Sequence, residues 1–153
     1  MSRRPVMPGH RHNKECWIAA RDGEVPPGAF IGGEDNGEPM YVIRAYYEGS
    51  LLPGKLLESQ EQGYVPWAGS DNAVFEYEVL CDFHGSWHPC SGDNIPPNAV
   101  PAGTSGDGEI LYVGRVVHDG TLTVGKVQPS LGFLYIPFYG EELSFSIFEI
   151  LCY

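Results

Sequence analysis

Short apolar runs rich in Val, Ile, Tyr and Phe alternate with Gly, Pro, Asn and Asp along most of the chain. Runs of that composition suit a pleated, half-buried surface and predict short β-strands divided by turns. The first half offers Trp17–Ala20, Ala29–Gly33, Met40–Tyr47, Lys55–Ser59, Tyr64–Trp67 and Val74–Leu80. The second offers Ala99–Gly103, Ile110–Val117, Leu122–Val127, Phe133–Phe138 and Phe145–Leu151. Within Met40–Tyr47 the period of two sets Tyr41, Ile43, Ala45 and Tyr47 on one face and Val42, Arg44 and Tyr46 on the other. Glu48-Gly49 and Asp119-Gly120 read as hairpin turns.

The pattern repeats. With the chain slid against itself by 70 residues, Trp17 meets Trp87, Pro26-Pro27 meets Pro96-Pro97, Ala29 meets Ala99 and Gly33 meets Gly103. One residue is then inserted in the turn Ser105-Gly106-Asp107-Gly108, counterpart of Asp35-Asn36-Gly37, and the offset becomes 71. Beyond it Glu38 meets Glu109, Tyr41-Val42 meets Tyr112-Val113, Arg44 meets Arg115, Gly54-Lys55 meets Gly125-Lys126, and Glu78 meets Glu149. A single insertion in a turn, with matches on both sides, marks a duplication. The organisation predicted is a flexible basic tail over 1–15, a first repeat over 16–81, a linker over 82–86 and a second repeat over 87–153. Two units this small bury little core apart. They are expected to pack together as one all-β, pseudo-twofold sandwich or barrel-like domain of short antiparallel strands.

Composition narrows the function. The 20 glycines and 13 prolines leave little room for long helices. No apolar run approaches the roughly 20 residues of a membrane span. The N-terminal segment lacks the apolar stretch of a secretory signal, so a cytoplasmic location or export by a non-classical route is expected. The net charge of −11 is unevenly spread: residues 1–21 carry +4 and the remainder −15. An acidic body repels phosphate backbones, which argues against nucleic-acid binding. The four cysteines, Cys16, Cys81, Cys90 and Cys152, are expected to be reduced thiols.

The only cations of the acidic body, Arg44, Lys55, Arg115 and Lys126, form two repeat-equivalent pairs. Arg44 and Arg115 lie inside strand patterns, where Glu78 and Glu149 offer carboxylates that a guanidinium fork could hold. Lys55 and Lys126 each follow a turn glycine, where a flexible ammonium can reach solvent or a ligand.

The run Pro26 to Asp35, then Gly37 to Ala45 with Tyr41-Val42 and Arg44, then Pro53-Gly54-Lys55, then Tyr77 to Leu80 resembles the DM-nine repeat. The second copy follows it more loosely through Leu111 to Arg115, Gly125-Lys126 and Phe148 to Leu151. A two-repeat chain of this kind resembles the small mannose-binding lectins of bivalve molluscs and the N-terminal region of natterin-like proteins. The resemblance implies a metal-free, homodimeric lectin for mannose or mannose-rich glycans, acting in innate recognition of microbial surfaces. It implies that Asp35 and Lys55 grip sugar hydroxyls in the first copy. In the second copy Lys126 matches, Ser105 stands at the aspartate position and Asp107 follows two residues on. Arg44, Arg115, Glu38 and Glu109 are expected to be structural or to support the ligand. The chemistry is coherent: a carboxylate accepts from vicinal hydroxyls, an ammonium donates to their oxygens, and an aromatic face covers the apolar side of the ring. Tyr41, Trp67, Tyr112 and Tyr139 are the aromatics available. Two sites per chain and a dimer would add avidity.

Three other readings stand beside this one. An enzyme is not expected: Gly-x-Ser-x-Gly and His-Glu-x-x-His are missing, and none of His10, His12, His84, His88 and His118 falls on a repeat-equivalent pair. No cofactor is implied. Cys81, His84, His88 and Cys90 could form a zinc site, although they lack the usual two separated ligand pairs. A protein-recognition or scaffold module without a sugar ligand is the main alternative.

Overall fold

A computed structural model describes residues 15–153; the basic residues 1–14 of the expected tail lie outside the described residues. Fourteen strands follow in chain order: β1 (Cys16–Arg21), β2 (Ile31–Asp35), β3 (Glu38–Tyr47), β4 (Ser50–Leu57), β5 (Gln62–Trp67), β6 (Ser70–Val74), β7 (Glu76–Cys81), β8 (Ser86–Ser91), β9 (Pro101–Thr104), β10 (Ile110–His118), β11 (Thr121–Gln128), β12 (Phe133–Phe138), β13 (Glu141–Phe145) and β14 (Ile147–Cys152). A 3₁₀ turn, Glu58–Gln60, joins β4 to β5. The fold is all-β and antiparallel, and β8–β14 repeat the order and pairing of β1–β7.

The pairings close on themselves. β3 pairs with β4, β4 with β9, β9 with β10, β10 with β11, β11 with β2, and β2 with β3. Each half therefore lends a short strand to the other: β2 adds to β11 at Glu34 opposite Leu122, and β9 adds to β4 at Leu51 opposite Thr104. β6 and β13 meet at Ser70 opposite Glu141, on the pseudo-twofold axis. The halves share one barrel because neither closes its own sheet.

Turn chemistry sets the hairpins. Asn36 and Gly37 both have positive φ, 52° and 83°, as the two-residue turn between β2 and β3 requires. Glu48-Gly49 and Asp119-Gly120 do the same for β3–β4 and β10–β11.

β3 is buried on both faces over most of its length. Met40 and Val42 enter one core cluster, shared by both halves, while Ile43 and Ala45 enter a second. The alternation in Met40–Tyr47 thus separates two cores rather than a core from solvent, and only Tyr46 is fully on the outside. Three strands, β6, β8 and β13, lie where the sequence pattern predicts none. Their sequences, Ser-Asp-Asn-Ala-Val, Ser-Trp-His-Pro-Cys-Ser and Glu-Glu-Leu-Ser-Phe, are polar, or broken by Pro89, and are held by pairing with neighbours. The expected strand Lys55–Ser59 is strand only to Leu57, the end of a longer strand that starts at Ser50 and passes through Pro53-Gly54, and its last two residues enter the 3₁₀ turn.

Candidate functional site

The two lysines are placed by a strand that changes partners. One edge of β4 pairs with β9 at Leu51 and with β5 from Lys55 onward. Pro53 and Gly54 fall at the switch. A Cβ on Gly54 would run into the Tyr64 carbonyl oxygen, so the close approach of β5 needs glycine there. The second half repeats this: β11 pairs with β2 at Leu122 and with β12 from Lys126, and a Cβ on Gly125 would meet the Tyr135 carbonyl oxygen.

Register then fixes the neighbours. Lys55 is opposite Tyr64, Tyr64 is opposite Ala73, and Asp71 lies two residues along β6 from Ala73. Lys55, Tyr64 and Asp71 therefore share one face. Lys126, Tyr135 and Glu142 share the corresponding face in the second half.

Each face is completed by the opposite half. The Phe138-Tyr139-Gly140 turn reaches over the first pocket. Asp71 holds it: the Gly140 N–H donates to Asp71 Oδ2 at 2.8 Å, and the Asp71 N–H donates to the Gly140 carbonyl at 3.3 Å. The Trp67-Ala68-Gly69 turn reaches the second pocket in the same way, with the Gly69 N–H donating to Glu142 Oε1 at 2.8 Å and the Glu142 N–H to the Gly69 carbonyl at 3.0 Å. Tyr139 and Ala68 sit at φ 46° and 53°, a left-handed conformation those two clamps hold.

The first pocket is a cavity of about 260 Å³ lined by Asp35, Lys55, Gln60, Tyr64, Asp71 and the Phe138–Gly140 turn. Lys55 is 7% exposed, and its ammonium stands 5.6 Å above the Phe138 ring. Among the described residues it forms no hydrogen bond or ion pair. Burial pushes its pKa down, and the Asp71 and Asp35 carboxylates oppose that shift from nearby. The Tyr64 hydroxyl accepts from Gln62 Nε2 at 2.6 Å.

The second pocket has the same plan with different contents. Trp67, Ala68, Lys126, Gln128, Leu131, Tyr135 and Glu142 line it. Leu131 replaces Gln60, Ala68 replaces Tyr139, and Glu142 replaces Asp71. Here the ammonium is paired, with Lys126 Nζ 3.4 Å from Glu142 Oε2. Burial lowers the Lys126 pKa against the pull of Glu142, and burial with the same carboxylate raises that of Tyr135.

Of the residues singled out in the sequence, Asp35 and Lys55 come together in the first pocket. Ser105 and Asp107 line a recess beside the second pocket that Lys126 also reaches. The Ser105 hydroxyl is engaged in its own turn, accepting from the Glu109 N–H at 3.1 Å. Arg44 and Arg115 lie away from both lysine pockets. Their Nε atoms donate to Glu78 and Glu149 at 2.7 Å each, and their guanidinium groups stack on Trp17 and Trp87 at 4.3 and 4.1 Å. Glu38 accepts from the Ser59 N–H and hydroxyl at 2.9 and 2.7 Å, ordering the turn that carries Gln60 to the pocket rim. Those bonds hold its pKa down. Glu109 does the same for Ser130 beside Leu131; burial raises its pKa, but the bonds from Ser130 and Gln128 together prevail and lower it.

Tyr64, Asp71, Gln60 and Phe138 are pocket residues that the sequence reading passed over. Tyr64/Tyr135 and Asp71/Glu142 are repeat-equivalent pairs, and that signal could have found them. Of the four aromatics considered, Trp67 and Tyr139 line pockets, whereas Tyr41 and Tyr112 pack against core clusters. Among the described residues no group of three or more His, Cys, Asp or Glu is placed to hold a metal ion, so Cys81, His84, His88 and Cys90 do not converge. All four cysteines are free thiols.

The family model described as the DM9 repeat matches residues 34–145. No curated protein matches the chain in sequence. Among solved structures, the nematode sperm cell motility protein MFP2B superposes with a TM-score of 0.70 at 15% identity, over 99% of this chain and 49% of that one. The chain thus spans about half of that protein, and the likeness concerns the fold.

Proposed function

The chain belongs to the DM9 repeat family, and on that premise we propose that it is a carbohydrate-binding lectin rather than an enzyme, holding mannose or a mannose-rich glycan in the first pocket. One observation carries the reading: a buried ammonium with no hydrogen-bonding partner among the described residues, flanked by two carboxylates and walled by an aromatic ring. A buried charged donor left without an acceptor is costly, and a ligand with oxygen acceptors relieves that cost.

A hexose suits the arrangement. Lys55 donates to one or two ring hydroxyl oxygens, and Asp35 and the free oxygen of Asp71 accept the hydroxyl hydrogens. Tyr64 and Gln60 add neutral hydrogen bonds at the rim. Phe138 and Tyr139 cover the apolar face of the ring. Every group needed is a side chain of this protein, so binding proceeds without metal. A single pocket of this kind binds weakly, and pairing of two chains as a homodimer would supply avidity on a glycan-covered surface such as a microbe's.

Isothermal titration with mannose, with galactose as control and EDTA present, tests this. Mannose-selective heat that disappears in Asp35→Ala and in Lys55→Met, with unchanged melting temperatures, supports the reading. No heat for either sugar overturns it. The second reading is a protein-recognition module. It is favoured by the fold neighbour, whose name describes a motility protein, and it gains ground if glycans fail to bind.

A further inference from the structure

We infer that Glu142 is a built-in occupant of the second pocket, so that this pocket is a latent copy of the first and the chain presents one open sugar site instead of two. The inference rests on the reading of the first pocket as a sugar site.

The two pockets share scaffold, register and lysine, and they differ by one methylene at the carboxylate on β6 or β13. Asp71 and Glu142 do the same backbone work, each accepting from a glycine N–H of the facing turn at 2.8 Å. With that bond made, the side chain of Asp71 ends short of Lys55, and no ion pair forms. Glu142 keeps Oε1 on Gly69 and swings Oε2 to within 3.4 Å of Lys126. Both partners are enclosed, their side chains 7% and 11% exposed. In the Lys126–Glu142 pair both partners are ionised, whereas a bond from the ammonium to a sugar hydroxyl has one, so the hydroxyl competes with a stronger acceptor already in place.

The surroundings agree. Leu131 stands where the first pocket has Gln60, and Ala68 where it has Tyr139. Ser105, at the position of Asp35, brings no carboxylate, and its hydroxyl oxygen accepts from the Glu109 N–H. The second pocket keeps Tyr135 and Trp67 but has lost the counterparts of Asp35, Gln60 and Tyr139, while its lysine has gained an internal partner.

The test compares sites one at a time. In wild type, mannose titration should give one site per chain, and Lys55→Met should remove it. In the Lys55→Met background, Glu142→Asp with Ser105→Asp should restore a mannose site, since Asp at 142 still reaches Gly69 and releases Lys126. Two wild-type sites per chain, or mannose binding that survives Lys55→Met, would overturn the inference while leaving the lectin reading intact. So would failure of the folded triple variant to regain binding. If wild type binds no sugar, the lectin reading falls and amine acylation read by mass spectrometry decides the rest. Lys126 should then be modified at least about fivefold faster in Glu142→Asp than in wild type, and an unchanged rate overturns the internal pairing. Should the aspartate variants fail to fold, Glu142→Gln, which keeps the side-chain length and the Gly69 acceptor, serves for the acylation comparison with the same expected direction.

Discussion

Arg115 Nη1 donates to the carbonyl oxygen of Gly32 at 3.0 Å, a bond between residues 83 apart that ties the second half to the strand the first half lends it. The same guanidinium holds Glu149 through Nε and lies over Trp87. Its counterpart Arg44 reaches Ala102 at a looser 3.5 Å. Arg115→Met, which keeps the apolar stem and removes the donors, is expected to cost about 2 kcal/mol in urea unfolding. Glu149 is 43% exposed and can rehydrate, which keeps the loss below that of a fully buried pair. Arg44→Met should cost less than Arg115→Met. Equal losses would mean that the cross-half bond adds nothing.

The glycines before the lysines separate stability from binding. Alanine at Gly54 or Gly125 puts a methyl group against a carbonyl oxygen of the adjoining strand, and overpacking of that kind costs about 1–3 kcal/mol. Both variants should melt at lower temperature by comparable amounts. Gly54→Ala also shifts Lys55 and should weaken sugar binding, whereas Gly125→Ala should leave it unchanged. Weakened binding in both variants would show that the first pocket does not act alone.

Most of the strands and the pseudo-twofold were legible because hydrophobic alternation and the 70/71 offset are local signals, while the polar strands β6, β8 and β13 give no such alternation. Arg44–Glu78 and Arg115–Glu149 were legible because both members repeat. The pockets themselves were only half legible. Lys55 and Asp35 stand out by charge and motif, but the walls come from a turn of the other half, 67 or more residues away from Asp71. No periodicity reports that β6 meets β13, because that contact is a single opposed pair, Ser70 and Glu141, in two polar strands. The difference between Asp71 and Glu142 reads as conservative in sequence. Only the clamp on the facing glycine shows why one extra methylene reaches the lysine.

Tyr139 is 80% exposed on the rim of the first pocket and is held at φ 46° by the turn that Asp71 clamps. Its ring adds little to the core, so Tyr139→Ala should change the melting temperature little. Loss of an aromatic face against a sugar ring is worth about 0.5–1.5 kcal/mol, or roughly a two- to tenfold drop in mannose affinity. Tyr139→Gly should bind as weakly as the alanine variant and melt no lower than it, because glycine accepts the left-handed backbone without strain. Wild-type affinity in both variants would remove Tyr139 from the site.

The lysines give the pocket a pH signature whose two parts run in opposite directions. Burial lowers the pKa of Lys55 from its ordinary 10.5. Between the lowered folded value and that unfolded value, the unfolded chain binds more protons, so stability rises with pH across this window. Below the window the buried charge is a standing cost, and Lys55→Met should be at least as stable as wild type at neutral pH. Binding behaves in the reverse sense. The sugar needs the ammonium as a donor, so affinity should hold through neutral pH and fall as pH rises through the folded value, before 10.5 is reached. A bound sugar favours the charged form, which predicts proton uptake on binding in the same window. Titrations in buffers of different ionisation enthalpy would read that uptake directly. Affinity that stays flat to pH 10.5, with no proton uptake, would show that Lys55 does not donate to the ligand.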